Sequence, residues 1–198
     1  MVIISAYYNK KRVNKMSKKN HFREIVLNYI KKKSINSYKK DKILIKKLKE
    51  LIDKNNYKSI MLYIPLKNEV NINPLIKSLR VKGIQIYVPF MEDKSFRLVK
   101  YRLPLQKKKF GIKEPKFSNL KIQKIDLAIV PIIGIDKNCK RVGFGKGMYD
   151  RFFEKNSKKI EHTLFIQRDL YYCNNHITDI YDIKANSILS SSIKIIEI

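Results

Sequence analysis

The chain has 198 residues, of which 44 are Lys or Arg and 17 are Asp or Glu, so its formal net charge is +27 at pH 7. Hydrophobic residues make up 44% of the sequence, which is enough for a packed core and excludes wholesale intrinsic disorder. Six Gly and six Pro exclude a collagen-like or linker-dominated architecture, and the length corresponds to one domain or two at most.

In chain order, helix-boundary residues and the helical spacing of apolar residues predict four helices. They cover residues 19–33, 38–54, 73–82 and a segment that begins after Gly147. Ser17 and Ser37 are the candidate N-caps of the first two helices. Pro74 occupies the first turn of the third helix and Gly83 ends it.

Short apolar runs predict six strands, most of them buried on both faces. They cover residues 59–65, 84–88, 96–101, 125–130, 162–166 and 193–196. The basic, aperiodic stretch 104–118 predicts a long loop between two of these strands. Because helices alternate with apolar strands, we expect a single-domain three-layer α/β/α fold with a mostly parallel open sheet.

The positive charge has two interpretations. One is a basic nucleic-acid-binding protein, and the other is a solvated surface that is rich in Lys for reasons of composition. Of the 44 basic residues 36 are Lys and 8 are Arg, although Arg is the better side chain for bidentate recognition of phosphates and bases. The excess charge also continues along the whole chain. We therefore favour the solvated surface and keep nucleic-acid binding as the alternative.

Cysteine usage indicates a reducing compartment. Cys139 and Cys173 form no CxxC pair, and the three His residues are separate from each other, so we expect neither a disulfide framework nor a zinc site. The apolar start over residues 1–8 is too short for a signal peptide or a membrane span. We predict a cytoplasmic protein with a loose extension over residues 1–15, with Met16 as an alternative translation start.

The most informative segment runs from Gly134 to Phe153. Three glycines, at 143, 145 and 147, alternate with larger residues and precede a helix. Glycines allow backbone N–H groups to turn towards a phosphate, and a helix N-terminus adds its positive end. The spacing matches neither a Walker A loop nor GxGxxG, so a phosphate-binding loop and a plain strand-to-helix turn both remain open.

The run VPIIGIDKNCKRVGFGKGMYDRFF, residues 130–153, resembles the signature of the 5-formyltetrahydrofolate cyclo-ligase family, whose members are also called 5,10-methenyltetrahydrofolate synthetases. Four further segments resemble the family in the same order. They are Lys19-x-x-x-Arg23, Asn68-Glu69-Val70, the run FGIKEP at 110–115, and Tyr181-Asp182. The resemblance spans about residues 18–190 and implies a cyclo-ligase domain over residues 16–198.

The resemblance implies an ATP-dependent ligase. In this reaction the formyl oxygen of 5-formyltetrahydrofolate is phosphorylated and N10 closes the ring, which gives 5,10-methenyltetrahydrofolate, ADP and phosphate. It further implies ATP and Mg²⁺ as cofactors and a reduced folate, with or without a polyglutamate tail, as substrate. We expect a monomer or homodimer without nucleic-acid or membrane partners. The alternatives are the nucleic-acid-binding protein and a divergent nucleotide-binding relative without folate activity.

The same resemblance implies the functional residues. The implied ATP-binding residues are Lys19, Arg23, Arg141, Val142, Gly143, Phe144, Gly145, Lys146, Gly147, Met148 and Tyr149. The implied substrate-binding residues are Ile64, Glu69, Phe110, Lys146, Met148 and Tyr149. The implied catalytic residues are Lys146, Arg141 and Tyr149, and the implied metal ligands are Asp150 and Asp182.

The sequence departs from the family pattern at three positions. Met148 replaces a usual Tyr, Cys139 replaces a frequent Gly, and Tyr171 stands where many members have Gln. Because Met fills a similar volume with a polarizable surface, we expect an altered folate affinity rather than a loss of activity.

Overall fold

The computed structural model describes residues 2–3, 17–32, 37–108, 113–118, 124–192 and 196–197. The helices are α1 (Lys18–Lys32), α2 (Ser37–Lys54), α3 (Asn73–Val81) and α4 (Met148–Asn156), and a 3₁₀ turn (Ser157–Lys159) follows α4. The strands are β1 (Val2–Ile3), β2 (Ser59–Met61), β3 (Gln85–Glu92), β4 (Ser95–Lys100), β5 (Gln106–Lys107), β6 (Lys113–Glu114), β7 (Ile125–Pro131), β8 (Gly134–Ile135), β9 (Arg141–Val142), β10 (Ile160–Ile166), β11 (Tyr171–Tyr172), β12 (Ser187–Leu189) and β13 (Ile196–Glu197).

A seven-stranded sheet in the order β13-β12-β10-β7-β2-β3-β4 forms the centre of the molecule. The five inner strands are parallel, and the edge strands β4 and β13 are antiparallel to their neighbours. The predicted mostly parallel open sheet is therefore confirmed. Because β2 and β7 are adjacent and parallel, the loops that follow them lie at the same edge of the sheet.

Alternate residues of β7 pack against opposite layers. Leu127 and Ile129 belong to the core beneath α2 and α3, whereas Ala128 and Val130 belong to the core beneath α4. Both cores are built from fully buried aliphatic and aromatic side chains, which makes burial of apolar surface the main stabilising contribution. Helices thus cover both faces of the sheet, and the predicted three-layer α/β/α fold is confirmed.

A second sheet, in the order β1-β11-β8-β9, packs against α1. Phe22 and Val26 of α1 are fully buried against residues of this sheet, including Val142 and Tyr171. A Cβ atom on Gly134 would lie 2.6 Å from the carbonyl oxygen of Tyr171 and 2.9 Å from the Phe22 ring. Glycine at this position lets α1 lie close to the sheet, which brings its basic residues towards the glycine-rich loop.

Several element boundaries differ from the prediction. The first predicted strand, 59–65, ends at Met61, although the amide of Leu62 still donates to the carbonyl of Tyr87 at 2.8 Å. The predicted loop 104–118 contains the antiparallel pair β5–β6. Ser37 is the first residue of α2, so its predicted position before the helix is wrong. Ser17 does cap α1, because its Oγ accepts a hydrogen bond from the amide of Asn20 at 3.3 Å.

Two further predictions concern the N-terminal extension and the absence of a membrane span. Within the segment predicted as an extension, Val2–Ile3 pairs in parallel with Tyr171–Tyr172, and residues 4–16 lie outside the described residues. The described helices include none that is long and apolar enough to cross a membrane.

Candidate active site

Two cavities adjoin at the carboxyl edge of the central sheet. The smaller, of about 210 Å³, is lined by Tyr63, Ile64, Leu66, Glu69, Pro89, Met91, Phe96, Lys113, Arg141, Phe144, Lys146, Gly147, Met148 and Tyr149. The larger, of about 550 Å³, is lined by Lys19, Asn20, Arg23, Arg141, Gly143, Gly145, Lys146, Gly147, Asp150, Arg151, Glu154, Asp179, Tyr181 and Asp182. The first set is mostly apolar and the second mostly charged. Arg141, Lys146 and Gly147 belong to both and form the wall between the cavities.

The glycine-rich loop, residues 143–147, runs from β9 to the N-terminus of α4. Arg23 of α1 donates from Nε to the carbonyl oxygen of Gly143 at 2.6 Å, which ties the loop to the helix. Gly145 and Gly147 have φ values of 93° and 61°, the left-handed conformation that favours glycine. A Cβ atom on Gly143 would overlap the guanidinium of Arg141. The glycines are therefore required by the backbone conformation and by the close approach of Arg141.

Arg141 places a buried cation between the two cavities. It is 5% exposed, and its Nε donates to the carbonyl oxygen of Pro131 at 3.2 Å. Its guanidinium carbon lies 4.8 Å from the ring centroid of Tyr149, and Nη1 lies 3.9 Å from Oδ2 of Asp150. Burial lowers the pKa of Arg141, and nearby Asp150 opposes that shift. Since a guanidinium has a very high intrinsic pKa, Arg141 stays charged and its geometry is fixed.

Glu69 places a carboxyl group in the apolar cavity. It is 8% exposed, and its Oε2 accepts a hydrogen bond from the amide of Leu66 at 2.9 Å. Burial raises the pKa of Glu69, and the Leu66 bond and the charges of Arg141 and Arg168 only partly oppose this shift. Burial also raises the pKa of Tyr149, so its hydroxyl remains a hydrogen-bond donor. The cavity therefore contains two polar groups that can exchange hydrogen bonds with a heterocycle.

Acidic side chains cluster on the far side of the larger cavity. Asp182 is 6% exposed, forms an ion pair with Lys19, and accepts a hydrogen bond from the amide of Asp179 at 2.6 Å. Asp150 lies in the first turn of α4, where a carboxylate is stabilised by the helix N-terminus. Over the described part of the chain, no three His, Cys, Asp or Glu side chains form a metal-binding group. Mg²⁺ often uses one or two carboxylates together with water and phosphate oxygens, so Asp150 and Asp182 are suitable ligands.

The structure brings most of the predicted site residues to these two cavities. Ile64, Glu69, Phe144, Met148 and Tyr149 line the smaller one, and Lys19, Arg23, Gly143, Gly145, Asp150 and Asp182 line the larger one. Val142 is different, because its side chain is fully buried under α1 and its carbonyl accepts a hydrogen bond from the amide of Ile133 at 2.9 Å. Phe110 lies outside the described residues. The individual roles of these residues stay predictions.

Several lining residues were missed by the sequence analysis. Phe96 and Met91, from the β3–β4 hairpin, line the apolar cavity, and Phe96 stacks on Phe152 with centroids 4.5 Å apart. Arg151 and Tyr181 line the charged cavity. A strand pattern shows which residues are apolar but not which of them reach a cavity, so no local signal identified the hairpin residues. Arg151 lies within the motif at 130–153 and Tyr181 directly precedes Asp182, so both could have been found.

The fold and the two cavities together indicate a class of protein. A parallel α/β sheet carries, at its carboxyl edge, a glycine loop at a helix N-terminus and a cation-lined cavity, as expected of an α/β protein that binds phosphate groups. A family model described as 5-formyltetrahydrofolate cyclo-ligase family matches residues 13–175. The chain belongs to the 5-formyltetrahydrofolate cyclo-ligase family. The predicted resemblance is thereby confirmed, and the nucleic-acid-binding alternative is not favoured.

Curated relatives and a solved structure agree with this assignment. A 5-formyltetrahydrofolate cyclo-ligase of Mycoplasma genitalium is 30% identical over 151 residues, which cover 73% of this chain and 81% of that protein. A cyclo-ligase of Haemophilus influenzae is 31% identical over 55% of this chain, and the match spans 63% of the length of that relative. The 5,10-methenyltetrahydrofolate synthetase of Aquifex aeolicus has the same fold, with a TM-score of 0.73, 24% identity and coverage of 90% of this chain and 92% of that chain.

Proposed function

We propose that the chain is an ATP-dependent 5-formyltetrahydrofolate cyclo-ligase. The observation that carries this proposal is the wall of Arg141, Lys146 and Gly147, which separates an apolar cavity with a buried carboxyl group from a charged cavity. A reaction that transfers a phosphoryl group to a bound heterocycle requires two such compartments in contact. The membership in the cyclo-ligase family supports the same reaction.

The two cavities suit the two substrates. In the smaller cavity, Tyr149, Phe96 and Met148 offer apolar and aromatic surfaces for the reduced pterin ring. The carboxyl group of Glu69 would accept a hydrogen bond from a ring N–H group or, when protonated, donate one to a ring nitrogen. In the larger cavity, Lys19 and Arg23 lie four residues apart on one face of α1, and both line the cavity together with the glycine loop. These cations and the loop amides would hold the triphosphate of ATP.

The proposed reaction depends on charge stabilisation at the wall. Arg141 and Lys146 would neutralise the γ-phosphoryl group while the formyl oxygen attacks phosphorus and ADP leaves. The nitrogen N10 of the folate then attacks the activated formyl carbon and gives up its proton to the phosphate, and the formyl oxygen leaves as part of that inorganic phosphate. Glu69 would fix the orientation of the ring so that the formyl oxygen points at the wall. The polypeptide itself forms no covalent bond in this scheme.

Asp150 and Asp182 are the proposed ligands of Mg²⁺. Both carboxylates line the charged cavity. Asp182 is paired with the ammonium group of Lys19, and Mg²⁺ would replace that group as its partner. The ion would supply additional neutralisation of phosphate charge.

We also propose a location for the tail of the substrate. A third cavity, of about 340 Å³, shares Ile64, Leu66 and Lys113 with the folate cavity and is lined further along by Lys77 and Tyr101. An aromatic ring and two Lys side chains suit an aminobenzoyl group followed by glutamate carboxylates. A small-molecule substrate of this kind is consistent with the cytoplasmic location predicted from cysteine usage.

The direct test measures the absorbance of methenyltetrahydrofolate formed from 5-formyltetrahydrofolate, with and without ATP and Mg²⁺. We expect product only when both are present. The variant Lys146→Ala should lower turnover by about 100-fold, because a charge that acts on the transferred phosphoryl group is lost. Lys108→Ala, a charge-matched control in the β5–β6 segment, should have almost no effect. A folded preparation that binds ATP but forms no product would overturn the proposal.

A further inference from the structure

The segment that carries Glu69, residues 62–72, is held from outside by an ion pair between two distant parts of the chain. Arg168 follows β10, and Asp41 lies in the first turns of α2. Nε of Arg168 lies 2.7 Å from Oδ1 of Asp41, and Nη2 lies 3.0 Å from Oδ2. The side chains are only 15% and 9% exposed. Such a bidentate pair fixes direction as well as distance.

The same two side chains bind three backbone groups around Glu69. Nη1 of Arg168 donates to the carbonyl oxygen of Asn68 at 3.2 Å, and Nη2 donates to that of Glu69 at 2.6 Å. Oδ2 of Asp41 accepts a hydrogen bond from the amide of Asn71 at 3.2 Å. The peptide groups on both sides of the Glu69 side chain are therefore tied to α2 and to the end of β10.

The start of this segment is joined to β3 through the amide of Leu62, but the other hydrogen bonds close to Glu69 are local. The carboxylate of Glu69 accepts from the amide of Leu66, and the hydroxyl of Tyr63 donates to the carbonyl of Val70 at 2.8 Å. These bonds shape the segment internally but join it to nothing beyond itself. The contacts of Arg168 and Asp41 tie the peptide groups next to Glu69 to α2 and to the end of β10, and neither residue lines the two cavities of the candidate active site.

We infer that Arg168 and Asp41 are positioning residues that hold the carboxyl group of Glu69 in place for the folate ring. The inference rests on the proposed function, because it assigns the pair to the folate cavity of that site. A carboxyl group that must meet a ring nitrogen within hydrogen-bond distance tolerates little displacement. Through its two hydrogen bonds to carbonyl oxygens, Arg168 fixes the peptide that carries this group.

The chain provides a matched control in the adjacent residues. Nζ of Lys40 lies 2.7 Å and 2.5 Å from the two carboxylate oxygens of Asp169, so this pair joins the same two elements as Arg168 and Asp41. Both partners of this second pair bind each other rather than the backbone of residues 62–72. A role in fastening α2 to the sheet would be shared by the two pairs, whereas a role in positioning Glu69 would belong to Arg168 and Asp41 alone.

The kinetic test uses Arg168→Lys, which keeps the charge but loses the fork, and Asp41→Asn, which keeps the shape. Each should raise the KM for 5-formyltetrahydrofolate by at least about tenfold and change the KM for ATP by less than about twofold. Lys40→Gln and Asp169→Asn should leave both constants nearly unchanged. In a Glu69→Gln background, Arg168→Lys should have little further effect on the folate KM. Equal effects of the two pairs, or full additivity with Glu69→Gln, would overturn the inference.

Hydrogen exchange gives a readout that does not depend on catalysis. The amides of residues 66–71 should exchange at least about tenfold faster in Arg168→Lys or Asp41→Asn than in Lys40→Gln. Unchanged exchange in both variants would overturn the inference even if the enzyme were fully active. If the wild-type chain forms no methenyl product, the proposed function fails, and that result is separate from the exchange rates. Should Arg168→Lys fail to fold, Asp41→Asn carries the same comparison.

Discussion

At the scale of single residues, the candidate site contains oppositely charged groups that are both withdrawn from water. Arg141 is 5% exposed and Glu69 is 8% exposed, and each lines the apolar cavity. Burial disfavours the charged form of each, so the pKa of Arg141 is lowered and that of Glu69 is raised. Arg141 remains a cation regardless, whereas the carboxyl group of Glu69 keeps its proton to a higher pH than an exposed carboxyl group does.

The raised pKa of Glu69 predicts a specific dependence of stability on pH. Between the ordinary pKa of 4.5 and the raised value, the folded state binds more protons than the unfolded state. The free energy of unfolding therefore falls as the pH rises through the raised pKa. Glu69→Gln, which cannot ionise, should lose this decline and become more stable than the wild type above that pKa. Denaturant unfolding at several pH values between 4 and 8 measures the difference.

A second substitution controls for the loss of one negative charge. Glu50→Gln removes a carboxylate from the exposed side of α2, away from both cavities. If Glu50→Gln and Glu69→Gln give the same stability profile, net charge rather than burial of Glu69 accounts for the change.

At the scale of elements, the turn and loop between β8 and α4 depend on backbone conformations that glycine favours. Cys139 has a φ value of 56°, so the frequent glycine of the family is replaced here by a residue in the left-handed conformation. Asp136 holds this turn, because its carboxylate accepts bonds from the amides of Asn138, Lys140 and Thr178 at 2.9 Å, 3.2 Å and 3.1 Å. The substitution at position 139 thus leaves the approach to Arg141 intact.

The glycine loop itself gives a prediction at this scale. In Gly143→Ala the added methyl group would overlap the guanidinium of Arg141, so the cation must leave its position between the cavities. Turnover should fall by about 100-fold, whereas the free energy of unfolding should change little. Steady-state kinetics and denaturant unfolding of the same preparation measure the two effects.

Gly83→Ala is the matched control for this experiment. Gly83 has a φ value of 73°, and a Cβ atom there would meet nothing within 4 Å. This variant should lose about 1–2 kcal/mol of stability through backbone strain and keep its turnover. Full activity in Gly143→Ala would show that the position of Arg141 is not needed for the reaction.

The same elements show how much could be predicted from sequence. The continuous apolar run of β7 and the glycines at 143, 145 and 147 are local signals, and they indicated the sheet and the loop correctly. Strands of two residues, such as β8 and β9, have no readable period. The pairing of Arg168 with Asp41 joins residues 127 positions apart and is created only by the packing of α2 against the end of β10.

At the scale of the whole molecule, only a few of the many basic residues line the candidate active site. Lys19, Arg23, Arg141 and Lys146 converge on the charged cavity, although the first two lie 118 or more positions before the last two in the sequence. The second sheet contributes to this convergence, because α1 packs against it and β9, which leads into the glycine loop, is one of its strands. Many other Lys side chains are exposed, for example those of Lys39, Lys42 and Lys46 along α2. Together they add a positive field around the two cavities.

This field predicts how the enzyme responds to the length of the substrate tail. With the tail in the third cavity, as proposed, each additional glutamate would add a carboxylate near Lys77 and Lys113, so polyglutamylated 5-formyltetrahydrofolate should have the lower KM. Raising the ionic strength to about 1 M shortens the Debye length from about 10 Å to about 3 Å, which should raise that KM more than the KM of the monoglutamate. Lys77→Gln and Lys113→Gln should reduce the difference between the two substrates, whereas Lys46→Gln on the exposed face of α2 should preserve it. A KM ratio that stays constant across salt concentrations and across all three variants would mean that the tail lies elsewhere.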